Sequence, residues 1–194
     1  NPGKVVEYAS DLTSPLKRIN QHAPADEGQK VPGPKELEVW VGSWKKGFDP
    51  NFGGKLGAPK FMTPVMYQFL MHWGEASGDP EVREHVQTTL RGMAFGGVFD
   101  QIGGGFSRYA VDPRWHVPHF EKMLYDNAQL LGVFAKAYSV YSKPEYKRIA
   151  ERIFTFLKRD MKADGGGYYA ALDADTEGEE GKYYLWQAGE LQTL

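Results

Sequence analysis

Cysteine is absent from the chain. Disulfides, thiolate metal sites and redox dithiols are therefore excluded. A surplus of positive charge is missing too: 23 Lys and Arg face 25 Asp and Glu, a formal net charge of −2 at pH 7. Long-range attraction to nucleic acid or to an anionic membrane gains nothing from that balance, so neither is expected as a partner. No apolar run approaches the ~20 residues that a spanning helix needs. The polar start, Asn1-Pro2-Gly3-Lys4, has no apolar signal core, and a cytoplasmic location is the resulting expectation. It also has no initiator Met, which suggests a processed or excised piece. Strand signals are scarce. Tyr168-Tyr169 and Tyr183-Tyr184-Leu185 could make one short hairpin across Glu177-Gly178-Glu179-Glu180-Gly181.

What is present is helical. Hydrophobic residues make up 41%, enough for a packed core, and 25% charged residues do not argue for disorder. Residues 1–33 are mixed: Val5, Val6, Leu12, Leu16 and Ile19 fit a short amphipathic helix, and the stretch 21–34 reads as a polar linker. From residue 34 onward the three-to-four spacing of helices dominates. One stripe is Leu37, Trp40, Val41, Trp44 and Phe48; a second is Val65, Met66, Phe69, Leu70 and Trp73. Asp79-Pro80 supplies a cap and a first-turn proline for a third, Val82, Val86, Leu90 and Met93. A long helix is predicted over 122–141 and a partner from Pro144, with Tyr146, Ile149, Ile153, Leu157 and Met161 apolar. Leu185-Trp186 could open another.

An internal repeat punctuates these helices. Phe52-Gly53-Gly54, Gly103-Gly104-Gly105-Phe106 and Gly165-Gly166-Gly167-Tyr168 each follow a helical stretch, at intervals of roughly 50–60 residues that suit one helix pair per copy. Stacked helix pairs form a solenoid or a closed ring, and in both the loops share one face.

The stretch from Gly96 to Phe120 is too long for a casual connection and too aromatic for disorder. Its glycines permit tight turns or close approach to a ligand. His116 and His119 flank Val117-Pro118. They could donate to backbone carbonyls, work as acid and base, or bind zinc; Pro118 breaks the helical spacing that zinc would want, so no metal is assigned. Glu121 and Asp126 follow. Helix N-terminal stabilisation accounts for Glu121 better than for Asp126, which sits with Asn127 as a weak helix former. Asp173-Ala174-Asp175-Thr176-Glu177-Gly178 opens like a calcium loop, but its twelfth position is Tyr184 and not an acid. A solvated acidic turn or a pair of site carboxylates remain as readings. Phe106, Arg108, Tyr109, Arg114, Trp115, Tyr168 and Tyr169 lie in the same loops. Rings beside charged groups match a sugar, which presents apolar faces edged by hydroxyls. The candidate set is therefore His116, His119, Glu121, Asp126, Asp173 and Asp175 for chemistry, with those seven for binding.

Three stretches carry a resemblance: Met93-Ala94-Phe95-Gly96-Gly97-Val98-Phe99-Asp100-Gln101-Ile102-Gly103-Gly104-Gly105-Phe106, then 117–130 (Val-Pro-His-Phe-Glu-Lys-Met-Leu-Tyr-Asp-Asn-Ala-Gln-Leu), then 171–181 (Ala-Leu-Asp-Ala-Asp-Thr-Glu-Gly-Glu-Glu-Gly). With Gly57-Ala58-Pro59-Lys60-Phe61 they resemble the YyaL, or spermatogenesis-associated protein 20, family from about residue 31 to the end. The resemblance implies an all-α fold: a partial (α/α)6 toroid of helical hairpins over 34–194, about three helix pairs, similar to N-acylglucosamine 2-epimerases and six-hairpin glycosidases. It also implies a thioredoxin-like domain, for which this cysteine-free chain has no counterpart. Expected partners are then a sugar, the remainder of the toroid, that thioredoxin-like domain, and a second copy through open ring edges; no cofactor is implied. Fold analogy leaves three activities open: sugar epimerase or isomerase, glycosidase, and a non-catalytic binding or scaffold module. Half a ring is not expected to catalyse by itself.

Overall fold

The computed structural model describes residues 2–20 and 31–193; of the expected linker, residues 21–30 lie outside the described part. The chain divides into two compact units, Asn1–Gly42 and Ser43–Leu194. The first holds α1 (Pro2–Asn20) and most of α2 (Pro34–Lys45). The short helix expected near the start is present, with Val5, Val6, Leu12 and Leu16 exposed along it.

The second unit is built on two hairpins, α3 (Pro64–Ser77) with α4 (Pro80–Phe95), and α5 (Leu124–Tyr141) with α6 (Pro144–Phe156). Helix α6 runs into a π-helical turn, Leu157–Met161. Proline opens α3, α4 and α6, where its missing N–H costs nothing and its fixed φ suits the first turn. Asp79 caps α4 by accepting from the N–H groups of Glu81 (3.1 Å) and Val82 (3.2 Å). Gly78 and Ser142 take left-handed conformations and turn the chain within two residues, so each helix returns antiparallel to its partner. Val82, Val86, Leu90 and Met93 of α4, Leu130 and Phe134 of α5, and Ile149 and Ile153 of α6 are all fully buried. In α3 the buried face is Tyr67, Leu70, Met71 and Gly74; of the predicted stripe only Leu70 is buried, and Val65 is 67% exposed. The predicted stripe was offset because helix periodicity admits a neighbouring face when several adjacent positions are apolar.

Two-residue strands stitch the connections together. β1 (Lys60–Phe61), β2 (Tyr109–Ala110) and β3 (Pro118–His119) form an antiparallel sheet; β4 (Lys122–Met123) pairs with β5 (Ala171–Leu172), and β6 (Asp175–Thr176) with β7 (Glu179–Glu180). Segments following α2, α4 and α6 therefore meet at one end of the unit, and the tight turns of the hairpins lie at the other. Three expectations are corrected. The long helix starts at Leu124, because Lys122 and Met123 are drawn into a ladder with 171–172 and the Leu124 N–H goes to the Ala170 carbonyl (2.9 Å). The hairpin turns on Glu177-Gly178, both at positive φ, and its strands are 175–176 and 179–180; the tyrosines stand outside it. The last helix, α7 (Ala188–Leu191), opens after Leu185-Trp186, on the Gln187 capping box.

The glycine repeat is a repeat of structure. Asp49 N donates to the Gly54 carbonyl (3.0 Å), and Asp100 N to that of Gly105 (3.0 Å). The Asp49 carboxylate accepts from Asn51 and Phe52 N–H, that of Asp100 from Ile102 and Gly103 N–H. A buried lysine closes each knot: Lys60 Nζ on Asp49 (2.7 Å) and the Gly53 carbonyl, Lys122 Nζ on Asp100 (2.8 Å) and the Gly104 carbonyl (3.0 Å). The glycines are pressed on by protein. A Cβ on Gly97 would stand 1.9 Å from the His116 carbonyl oxygen, and one on Gly105 2.5 Å from the Phe156 ring. Close approach is real here, but the approaching group is the chain itself.

Candidate functional site

The three-stranded sheet aligns Phe61, Tyr109 and His119 directly across from one another. Residues opposite in register point to one face of a sheet, and their rings meet: Phe61 is tilted against Tyr109 at 4.8 Å between centroids, and Tyr109 stacks on His119 at 5.0 Å. His119 is thus fixed in plane by an aromatic ladder. Its Nδ1 lies 2.7 Å from Glu180 Oε1, a contact across 61 residues made possible by the 175–180 hairpin. With its proton on Nδ1 the ring donates to the Glu180 carboxylate. Nε2 faces Glu121, 3.8 Å away and already held by Arg108 at 3.2 Å. The His119 side chain is 26% exposed, so a ligand can reach it.

Asp126, in the first turn of α5, completes the group. Burial, aided by the Glu121 charge, outweighs the pull of Arg108 and raises the Asp126 carboxyl to about 6. A half-buried acid poised there donates or accepts a proton near neutrality, whereas Glu121 is spent on Arg108. Of the residues read from sequence, the structure brings together Arg108, Tyr109, His119, Glu121 and Asp126.

The others go elsewhere. Phe106 is fully buried between Phe99 (4.8 Å) and Phe134 (5.5 Å), so it packs the core and does not meet a ligand. Trp115 is also at 0% exposure; its indole N–H donates to the Phe52 carbonyl (2.8 Å), and Gly54 and Gly92 make the slot that takes the ring. Both corrections have one cause: large rings beside glycines look alike whether the glycines admit a ligand or the rings themselves. His116 and Arg114 line a separate cleft. Tyr168 and Tyr169 are exposed on the third glycine loop. Asp173 and Asp175 are exposed; Asp173 accepts the Asp175 N–H in a local turn, and Asp175 stands opposite Glu180 in the hairpin. Their part in the site is therefore indirect, through the residue the sequence reading missed. Glu180 had no local mark, since its partner is in a distant loop. Asn127 was missed as well: it grips both backbone groups of Phe106 (2.7 and 3.0 Å) and the Met123 carbonyl, which fixes the loop to α5.

Comparison with known proteins identifies the lineage. Over 159 residues the chain is 40% identical to mouse spermatogenesis-associated protein 20, a match covering 77% of this chain and 20% of that protein. The human protein matches with the same figures. Over that span the chain is similar to the spermatogenesis-associated protein 20 family. It spans about a fifth of the length of these relatives. No family model matches it. Among solved structures it resembles the cellobiose 2-epimerase of Spirochaeta thermophila (TM-score 0.61, 23% identity, 69% of this chain and 36% of that one). It is also similar to the cellobiose 2-epimerase of Bacillus thermoamylovorans (0.61, 15%, 77% and 44%) and to an unsaturated glucuronyl hydrolase specific for heparin (0.60, 14%, 71% and 42%). At such identities the likeness concerns fold. The chain has an all-α fold, a partial (α/α)6 toroid of helical hairpins, as the resemblance implied. Among the described residues no helix is long and apolar enough to cross a membrane.

Proposed function

We propose that this chain supplies one wall of a carbohydrate-binding cavity, together with its acid–base group, in a reaction of the sugar epimerase or isomerase type. The observation that carries this reading is the Glu180–His119 pair. A carboxylate holding Nδ1 makes Nε2 a base, which is the group needed to take a proton from a carbon beside a sugar carbonyl. Asp126, its carboxyl raised to about 6, would be the group that gives a proton to the carbonyl oxygen. Tyr109 and Phe61 offer flat faces to the apolar side of the ring, and Arg108 offers donors to its hydroxyls. The structural neighbours support the class, since two of them are cellobiose epimerases and share this fold. The remainder of the toroid, and the thioredoxin-like domain implied by the family resemblance, would come from beyond the region described.

A second reading rests on Glu121 and Asp126, two carboxyls of which one is ion-paired with Arg108 and the other is raised to about 6. That contrast is the signature of glycosidase acid–base pairs. One measurement separates the two. The chain is placed in mouse spermatogenesis-associated protein 20 in exchange for the matching 159 residues, and the chimera is incubated with cellobiose in deuterated water. Epimerase-type chemistry puts deuterium beside the carbonyl and loses it with His119→Ala; glycosidase chemistry releases glucose without exchange. In the 194-residue chain alone, titration with cellobiose should move the His119 ring resonances. A spectrum indifferent to reducing sugars, together with a chimera that neither exchanges nor hydrolyses, would refute the carbohydrate reading.

A further inference from the structure

Several cations of the second unit are ion-paired, among them Lys45, Arg83, Arg108, Lys147, Arg159 and Lys182. Arg91 and Arg114 form no ion pair among the described residues, yet both line one cleft of about 620 Å³ with Phe95, Val117 and His116. Arg91 and Phe95 are four residues apart on α4 and so project from one face. Arg114 of the cleft rests on a ring outside it, over Phe52 (5.5 Å), and the lining ring of Phe95 carries Arg148 (5.8 Å). Stacking orients the flat fork while leaving its N–H edges free.

Asp112 is the one acid among the lining residues. Its oxygens are taken by its own turn, accepting from the N–H groups of Arg114 (2.6 Å), His116 (3.0 Å) and Val117 (2.5 Å). A single exposed arginine on a helix is ordinarily just solvated. Two that line one concavity, beside the Phe95 ring and with the local carboxylate occupied, form a receptor for negative charge.

We propose that this cleft is a binding site for a small organic anion, with a carboxylate or phosphate held between Arg91 and Arg114 and an apolar or ring face resting on Phe95 and Val117. None of the His119 group lines it, so the site stands whether or not the sugar chemistry above does.

Calorimetric titration of the full 194-residue chain with glucose 6-phosphate, glucuronate and glucose tests it. At least one anion binds saturably, glucose does not, and the two anionic arms tell which head group is preferred. Arg91→Gln and Arg114→Gln each weaken binding by about tenfold, as loss of a bidentate charge-assisted contact should. Arg114→Lys, which keeps the charge but not the fork, falls between and guards against a folding artefact. His119→Ala leaves anion affinity within about twofold, since the sites share no contact. Glucose binding as well as either anion, affinity indifferent to all the arginine variants, or no saturable binding of either anion up to about 10 mM overturns the proposal.

Discussion

The first two glycine loops and the third share a sequence signal but not a physics. All three carry paired glycines at positive φ, Gly53 and Gly54, Gly104 and Gly105, Gly166 and Gly167. All three close with a backbone N–H to a glycine carbonyl, from Asp49, Asp100 and Ala163. In the first two, an aspartate at the start of the turn recruits a buried lysine and side chains crowd the glycines. In the third, Ala163 stands where the aspartate would be, and a Cβ on Gly165, Gly166 or Gly167 would meet nothing within 4 Å. The same letters therefore build two locked corners and one open turn. A glycine cluster reports a backbone shape; what presses on it decides whether it is core or surface.

The contrast is open to measurement. The largest effect is expected from Lys122→Met, which strands the Asp100 carboxylate: about 3–5 kcal/mol lost in urea denaturation, with Lys60→Met alike. Adding Asp100→Leu to Lys122→Met should recover a large part of it; a double variant no better than the single would show that the pair is not what holds the corner. Next comes Gly105→Ala against Gly167→Ala. Both force a Cβ into positive φ, but only the first also drives it into Phe156, so about 2–4 kcal/mol is expected against about 1 kcal/mol. Equal losses would mean that the third loop is as tightly packed as the second.

The smallest effect is on pH. Burial pushes the Asp100 carboxyl up, but the Lys122 hydrogen bond and charge outweigh it, and the net result lies below the ordinary 3.8. Asp49 behaves likewise with Lys60. A depressed carboxyl contributes stability that is present above its unfolded value and is lost as pH falls through the folded one. Melting curves between about pH 5 and pH 2 should therefore steepen below pH 3.8, less so in Asp100→Asn.

Much of the scaffold was legible. Helices α4 and α6 follow the predicted stripes residue for residue, because an amphipathic helix must bury its one apolar face. The repeat was visible too, and aligning Phe48-Asp49 with Phe99-Asp100 would have exposed the corners in advance. The site was half legible. Tyr109, His119 and Glu121 are close in sequence, and two strand registers bring them together. Glu180 could not be found that way, since nothing near it marks a histidine 61 residues back. Phe106 and Trp115 misled because composition cannot tell a ring that awaits a ligand from one already surrounded.

By itself, then, the order of residues determined the helices, the positions of their turns and the glycine corners, since each depends on local geometry and on one face seeking cover. Which loop residues became neighbours was settled only when antiparallel pairing laid distant connections against each other. That pairing set His119 on Glu180, sent His116 to another cleft, and buried the indole of Trp115, because side-chain partners at such separations are chosen by the packed backbone and not by the sequence around them.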